Sequence, residues 1–332
     1  MTLLKISGIC KKGEGDFLLK DISFSQRKLQ RIAIAGETGA GKSTLLKIIA
    51  GLIQPDAGEV LFENKKVSGP DEILVPGQPG IAYLSQHFEL QKFLRVEQVL
   101  TYSNTISDEE AGTLYEVCQI NHLLKRKTDQ LSGGEKQRIA ICRLLISAPR
   151  LLLLDEPFSH LDMVHKNTLK SVIHDIGEKL KITCMLVSHD PLDTLSWADK
   201  ILVMKDGQIV QKGKPEIIYK QPVNEYVGGL FGKYNLIPPG RFKAFSKLPG
   251  IKRNIPAAGK KSMFTRPENF KLVSKRNKAL RGKVKDVIFC GSHYEIEVSI
   301  SKNVIRVKAE EVNIKKGDTV YISLKPNSLW YV

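Results

Sequence analysis

The chain has 332 residues, 42% hydrophobic and 26% charged, enough for about two domains with a sizeable core. No run approaches the roughly 20 apolar residues needed to cross a bilayer, and the first residues turn polar too soon for a secretory signal. Five scattered cysteines without a CxxC argue against a disulfide framework or a zinc site and point to a cytosolic compartment. The net charge of +16 is local: residues 1–235 carry +2, residues 241–285 hold 15 basic side chains and one acidic, and residues 286–332 balance.

In chain order, LLKISGI, DISFS, RIAIAG and EVLFEN are short β-branched runs punctuated by glycine. RIAIAG feeds KSTLLKIIAGL, which has helical spacing, through a tight loop. GIAYLSQ (80–86) predicts a strand, 94–124 a helical region, Ser132–Ile146 a helix closed before Pro149, and RLLLLDEP a fully buried strand. Asp162–Leu180 predicts a helix, TCMLVSH another buried strand, and KILVMKDGQIVQKG a hairpin turning at Asp206-Gly207. Alternating strands and helices, with continuously apolar strands, predict an α/β fold whose parallel sheet is covered on both faces.

The alternation stops near 235, and Asn235–Gly259, rich in Pro, Gly and Lys, reads as a linker or irregular connection. From Ser262 onward only short strands follow: ALRGKVKDVIFCG, HYEIEVSI, NVIRVKAE, TVYISL and SLWYV. Turns at Gly291-Ser292, Lys302-Asn303 and Lys316-Gly317-Asp318 space them as a small β-barrel.

Gly36-Glu37-Thr38-Gly39-Ala40-Gly41-Lys42-Ser43-Thr44 is a phosphate-loop motif standing between a strand and a helix. Its glycines let backbone N–H groups converge on phosphate oxygens, and the helix N-terminus adds about half a positive charge. Lys42 suits the β- and γ-phosphates of a nucleotide, and Ser43 suits Mg2+. Leu151–Pro157 is an apolar strand ending in two acids, where α/β ligand sites form. Asp155 is then placed for the Mg2+ shell, and Glu156 for activating the attacking water.

Between these motifs stands Leu131-Ser132-Gly133-Gly134-Glu135-Lys136-Gln137-Arg138. The octet resembles the signature of ATP-binding cassette (ABC) ATPases, and other motifs follow in that family's order. Gln86 resembles the Q-loop glutamine, Ser159-His160-Leu161-Asp162 the D-loop, and His189 the switch histidine. Ser132 with two glycines opening a helix is a second anion site, and one chain needs only one γ-phosphate cradle. The bland reading of SGGE alone is a helix cap.

The resemblance covers about residues 1–230 and implies a P-loop NTPase domain with a helical subdomain at about 87–145. It also implies a head-to-tail pair of cassettes, each nucleotide lying between Lys42 of one and Ser132 to Gly134 of the other. Lys42, Glu156 and His189 then serve catalysis, His189 contacting the γ-phosphate. Ser43, Asp155 and Gln86 serve Mg2+, and Gln86 also senses the transport partner. The family's adenine-stacking aromatic near position 13 is missing from Cys10-Lys11-Lys12-Gly13, and Phe17 is the nearest aromatic candidate.

Phe264-Thr265-Arg266-Pro267-Glu268-Asn269-Phe270, followed by short strands, resembles the transport-associated OB-like (TOBE) domain of importer ATPases for sugars, polyamines, iron, sulfate and molybdate. The expected domains are an ABC ATPase at 1–232, a linker at 233–261 and an OB-like barrel at 262–332. The expected function is the ATP-hydrolysing subunit of a bacterial importer, peripheral on the cytoplasmic face of the inner membrane. Its expected partners are a second, identical cassette (a homodimer), two transmembrane permease subunits and a periplasmic solute-binding protein.

Two other functions fit parts of the pattern. An exporter ATPase would share the cassette. A soluble nucleic-acid- or ribosome-associated ABC ATPase would use the barrel groove, with Phe242, Phe245, Phe264 and Phe270 stacking on bases. The basic stretch, including Lys260, Lys261, Lys275, Arg276 and Lys278, reads as a face toward anionic lipid or an acidic partner, or as solvation alone.

Overall fold

Apolar strands separated by glycine-punctuated turns assemble in a computed structural model that describes residues 1–13, 17–86, 89–101, 106–245, 248, 261–275, 279–301, 303–326 and 328–332. The chain divides into two compact units, Met1–Pro215 and Glu216–Val332. In chain order the first holds β1 (Thr2–Lys12), β2 (Phe17–Arg27), β3 (Ile32–Ala35), α1 (Lys42–Ile49), β4 (Ala57–Phe62), β5 (Lys65–Lys66) and β6 (Ile81–Leu84). There follow α2 (Val96–Thr101), α3 (Asp108–Val117), α4 (Gly133–Leu145), β7 (Leu151–Asp155), α5 (Met163–Glu178), β8 (Thr183–Val187), α6 (Pro191–Trp197), β9 (Lys200–Lys205) and β10 (Gln208–Gly213).

Two sheets enclose the first core. One is antiparallel, in the order β2-β1-β4-β5; the other has the order β10-β9-β3-β8-β7-β6. In the second sheet β9, β3, β8, β7 and β6 run parallel, and β10 pairs antiparallel on its edge. Every residue of β7 and β8 is buried, as the unbroken apolar runs require of a sheet covered on both faces. Leu45, Leu46, Ile48 and Ile49 of α1 join residues of both sheets in one cluster. The β9–β10 hairpin turns at Asp206 and Gly207, both at positive φ (49° and 75°), the geometry that an Asp-Gly turn favours.

The parallel order explains where the motifs meet. The phosphate loop follows β3, Gln86 follows β6, Asp155 and Glu156 end β7, and Ser188-His189-Asp190 follows β8. Four neighbouring strands thus deliver their C-terminal ends to one edge, where open α/β sheets bind ligands.

After its first residue, α7 (Pro215–Lys220) belongs to the second unit, with α8 (Glu225–Leu230), β11 (Asn235–Ile237), β12 (Met263–Thr265), β13 (Phe270–Val273) and β14 (Leu280–Phe289). It continues through β15 (Tyr294–Ile300), β16 (Asn303–Ala309), β17 (Thr319–Leu324) and β18 (Trp330–Tyr331). A five-stranded antiparallel sheet, β13-β17-β14-β15-β16, curls until its edge strands β13 and β16 approach each other. A small sheet, β11-β12-β18, accompanies it.

This unit begins upstream of the boundary expected at 232, and the expected linker is partly structured. β11 pairs with β12, and Phe242, Phe245 and Leu248 are buried in the barrel core. The physical tie is Arg266, whose side chain is only 1% exposed. Its Nε and Nη2 donate to the Tyr219 carbonyl at 3.1 Å, and its Nη1 to the Gly232 and Lys233 carbonyls at 2.8 and 3.2 Å. The guanidinium also lies against the Tyr219 and Phe264 rings, 4.1 and 4.9 Å from their centroids. One buried cation therefore satisfies carbonyls left open where α7 and α8 end.

Phe242, Phe245, Phe264 and Phe270 are all buried. They fill the second unit and offer no stacking surface to nucleic acid. Lys261 and Lys275 are exposed, whereas Lys260, Arg276 and Lys278 lie outside the described residues.

Candidate active site

The phosphate loop takes its shape from its own backbone. Gly41 caps α1 at φ 89°, and a Cβ there would meet the Leu18 carbonyl oxygen at 2.6 Å, so only glycine fits. Glu37, Thr38 and Gly39 form an exposed crest, while Gly36, Ala40 and Gly41 are buried and Ser43 and Thr44 lie half-buried at the start of α1. Lys42, 5% exposed, folds back so that Nζ donates to the Gly36 and Glu37 carbonyls at 2.8 and 2.7 Å. Burial lowers its pKa, against the opposing pull of Glu156, Asp155 and Glu37.

Asp155, 2% exposed, joins this loop to the neighbouring strands. Ser43 Oγ donates to its Oδ1 at 3.0 Å, and the Tyr83 hydroxyl to its Oδ2 at 2.9 Å. Ser43 and Asp155 therefore present adjacent hard oxygens, with the Gln86 side chain nearby at Glu156, a donor set that fits Mg2+. Tyr83 carries no motif. Its role comes from register, since Tyr83 pairs with Leu153 and so points to the same face of the sheet as Asp155. Burial and the Asp155 carboxylate both push the Tyr83 pKa up, keeping it a proton donor.

Glu156 is the centre of the next group. Its backbone is left-handed, with φ 48°. The Val187 carbonyl accepts from the Glu156 N–H at 3.0 Å, and the Ser159 hydroxyl donates to the Glu156 carbonyl at 2.8 Å. The carboxylate turns outward, and Oε2 meets both Gln86 Nε2 at 3.3 Å and His189 Nδ1 at 3.2 Å. These side chains line a cavity of about 270 Å3. A larger cavity of about 430 Å3, bordered by Leu3, Leu114, Leu145 and Ile182, contains none of these strand-end groups.

Behind His189 stands a network that no motif announced. Asp193, 1% exposed, accepts from Ser188 Oγ at 3.1 Å and pairs with Lys166 and Lys170 at 2.8 and 2.9 Å. Lys166 also pairs with Asp190 at 2.5 Å. The switch segment is thereby fastened to α5, the helix that the D-loop opens.

Ser132, Gly133 and Gly134 begin α4, and Ser132 does cap it: its Oγ accepts from the Glu135 N–H while Glu135 Oε2 accepts from the Ser132 N–H at 2.7 Å. The cap leaves Ser132 and Gly133 exposed, so capping and anion binding are compatible. His165 completes the cluster. Its Nδ1 lies 2.6 Å from Asp162 Oδ2, where it donates to the carboxylate, and its Nε2 lies 3.4 Å from Ser132 Oγ. A Cβ on Gly134 would meet the His165 ring at 2.9 Å, which explains the second glycine. Among the described residues, the Ser132 backbone and hydroxyl bond to Glu135, Lys136 and His165, all on α4 or α5.

The structure thus brings together Ser43, Gln86, Asp155, Glu156 and His189, with Lys42 beside them, while Ser132 bonds to residues of α4 and α5. Phe17 opens β2, but its side chain lies outside the described residues.

The ABC transporter family model matches residues 19–159, and the TOBE domain model matches residues 264–332. The chain is 30% identical to the spermidine/putrescine import ATP-binding protein PotA of Clostridium acetobutylicum, across 98% of this chain and 95% of that protein. It is 32% identical to the sulfate/thiosulfate import ATP-binding protein CysA of Synechocystis, across 93% and 90%. Among solved structures, an ATP-binding cassette of an ABC transporter in its ADP conformation is similar at TM-score 0.59 and 25% identity, covering 70% of this chain and 98% of that one. A dimeric cassette in a post-hydrolysis state, bound to ADP and Pi, is similar at TM-score 0.56 and 27% identity, covering 64% and 99%.

Proposed function

Because the chain belongs to the ABC transporter family of import ATP-binding subunits, we propose that it hydrolyses ATP to ADP and phosphate at the strand-end site and couples that reaction to solute import. The observation carrying the residue roles is the meeting of Gln86 and His189 on one oxygen of Glu156. In this reading Lys42 exchanges its loop carbonyls for the β- and γ-phosphate oxygens. Glu156 orients the attacking water and takes its proton, and His189 holds the γ-phosphate. Ser43, Asp155 and Gln86 would hold Mg2+, which when bound neutralises charge on the β- and γ-oxygens.

A second cassette supplies Ser132 to Gly134 to the γ-phosphate, so the working unit is a head-to-tail pair, most simply a homodimer. Two permease subunits and a periplasmic binding protein complete the importer, with this chain peripheral on the cytoplasmic face of the inner membrane. Among the described residues no helix is long and apolar enough to cross a membrane. The two curated relatives are named for a polycation and for oxyanions, and in this proposal solute choice belongs to the partner subunits.

The test is Glu156→Gln. Nucleotide binding is expected to persist while single-turnover hydrolysis falls by about 10²–10⁴-fold, and ATP should trap the variant as a dimer in sedimentation. Turnover at the wild-type rate would remove Glu156 from its role. Lys42→Ala should instead weaken binding itself in a nucleotide titration.

A further inference from the structure

The tip of the β14–β15 hairpin carries a cluster that hydrolysis does not use. Phe289 and Tyr294 are the last paired residues, and their rings lie 5.2 Å apart. Beyond them the loop closes on itself: the Cys290 N–H donates to the His293 carbonyl at 2.8 Å, and the Ser292 N–H to the Cys290 carbonyl at 3.1 Å. Gly291, at φ 79°, makes that turn possible. Side chains alternate along strands and directly opposed residues share a face. Cys290, His293 and Glu295 accordingly project from the same side of the hairpin.

We propose that Cys290, His293 and Glu295 form a binding site for a divalent transition metal of the Zn2+ class. One ligand atom from each residue lies within 4.8 Å of the others, close enough for small side-chain rotations to bring all three onto one ion. The surrounding groups already orient the ligands. Ser292 Oγ lies 3.1 Å from His293 Nδ1, leaving Nε2 as the ligating nitrogen, and that atom is 4.0 Å from Glu295 Oε1. Lys233 engages the other carboxylate oxygen, Oε2, at 2.5 Å and leaves Oε1 available. Such outer partners fix ring orientation and carboxylate geometry at metal sites.

The donor set selects the metal. A thiolate and an imidazole beside one carboxylate suit borderline ions and disfavour Mg2+ and Ca2+, which prefer oxygen alone. The Cys290 thiol donates only a weak bond to the Ile288 carbonyl, at 3.9 Å, and would release its proton when the metal binds. Cys290 is exposed, so three protein ligands leave a fourth position open to water or to a group on another molecule. The sequence lacks the paired CxxC of cysteine-rich zinc sites. A mixed set on one hairpin becomes visible only once the turn brings Cys290 back to His293.

The experiment is Co2+ titration of the full chain without nucleotide, under a phosphine reductant. One equivalent should produce a near-ultraviolet thiolate-to-cobalt band that Zn2+ displaces. Cys290→Ser should abolish the band, and Ser292→Ala should weaken Co2+ affinity by about 10–100-fold while the band remains. No band in the wild type, or a band that survives in Cys290→Ser, would overturn the proposal. Ser43, Gln86, Asp155, Glu156 and His189 carry no thiol and the titration uses no nucleotide, so the loss of the band in Cys290→Ser is read independently of the ATPase reading.

Discussion

Lys42 shows how one side chain can be ready for a ligand without being idle. Its ammonium is held by two loop carbonyls, and burial lowers its pKa below the ordinary value of 10.5. Phosphate binds the protonated form, so bound nucleotide raises the pKa. Affinity is then fully present below the free-state pKa and is lost as pH rises through it. Nucleotide affinity is therefore expected to fall on the alkaline side before pH 10.5, which Kd measured against pH will test. A flat profile up to that pH would mean that Lys42 does not control binding by its charge. Glu156 makes the complementary point about strain. A left-handed, non-glycine backbone costs about 1–3 kcal/mol, and it persists because the Val187 carbonyl and Ser159 hold it where Gln86 and His189 can reach the carboxylate.

Among the elements, Arg266 binds the second unit most tightly to its own helices. Arg266→Lys would keep the charge but lose the planar fork that reaches three carbonyls and lies against two rings. Hydrogen bonds to charged groups contribute about 1.5–3 kcal/mol each, so a loss of at least about 2 kcal/mol is expected in denaturant titrations. Trp330, whose indole N–H donates to the Pro222 carbonyl at 2.8 Å, reports on this unit in a Trp197→Phe background. The elements legible in the sequence were those whose pattern is continuous: β7 and β8 as unbroken apolar runs, β9–β10 through Asp206-Gly207, and β14 to β17 by alternation. The three-residue strands β11 and β12 are too short to carry a period. Phe242 and Phe245 stand among Pro, Gly and Lys, which resemble a linker until the barrel core closes over them. The strand-end motifs named most of the site, but Tyr83 and His165 acquire roles only from strand register and from the packing of α5 against the start of α4.

At the scale of the whole molecule, the charge count has a structural counterpart. Along β14, Leu280, Gly282 and Val284 are buried while Arg281, Lys283 and Lys285 are exposed, so the basic stretch includes a charged outer face on a strand whose other side fills the barrel. If that face meets anionic lipid, each cation contributes about 1 kcal/mol. Replacing Arg281, Lys283 and Lys285 with Gln should then lower affinity for phosphatidylserine vesicles by about 100-fold and leave basal ATPase unchanged. Unaltered vesicle binding would assign these cations to solvation. That the Ser132–Gly134 turn opens α4 whereas the phosphate loop opens α1 has a genetic consequence. In a head-to-tail pair, one chain altered at Lys42 and another altered at Ser132 place both lesions in the same composite site and leave the opposite site intact. Two inactive alleles would therefore restore activity when expressed together, whereas either allele alone leaves both sites defective.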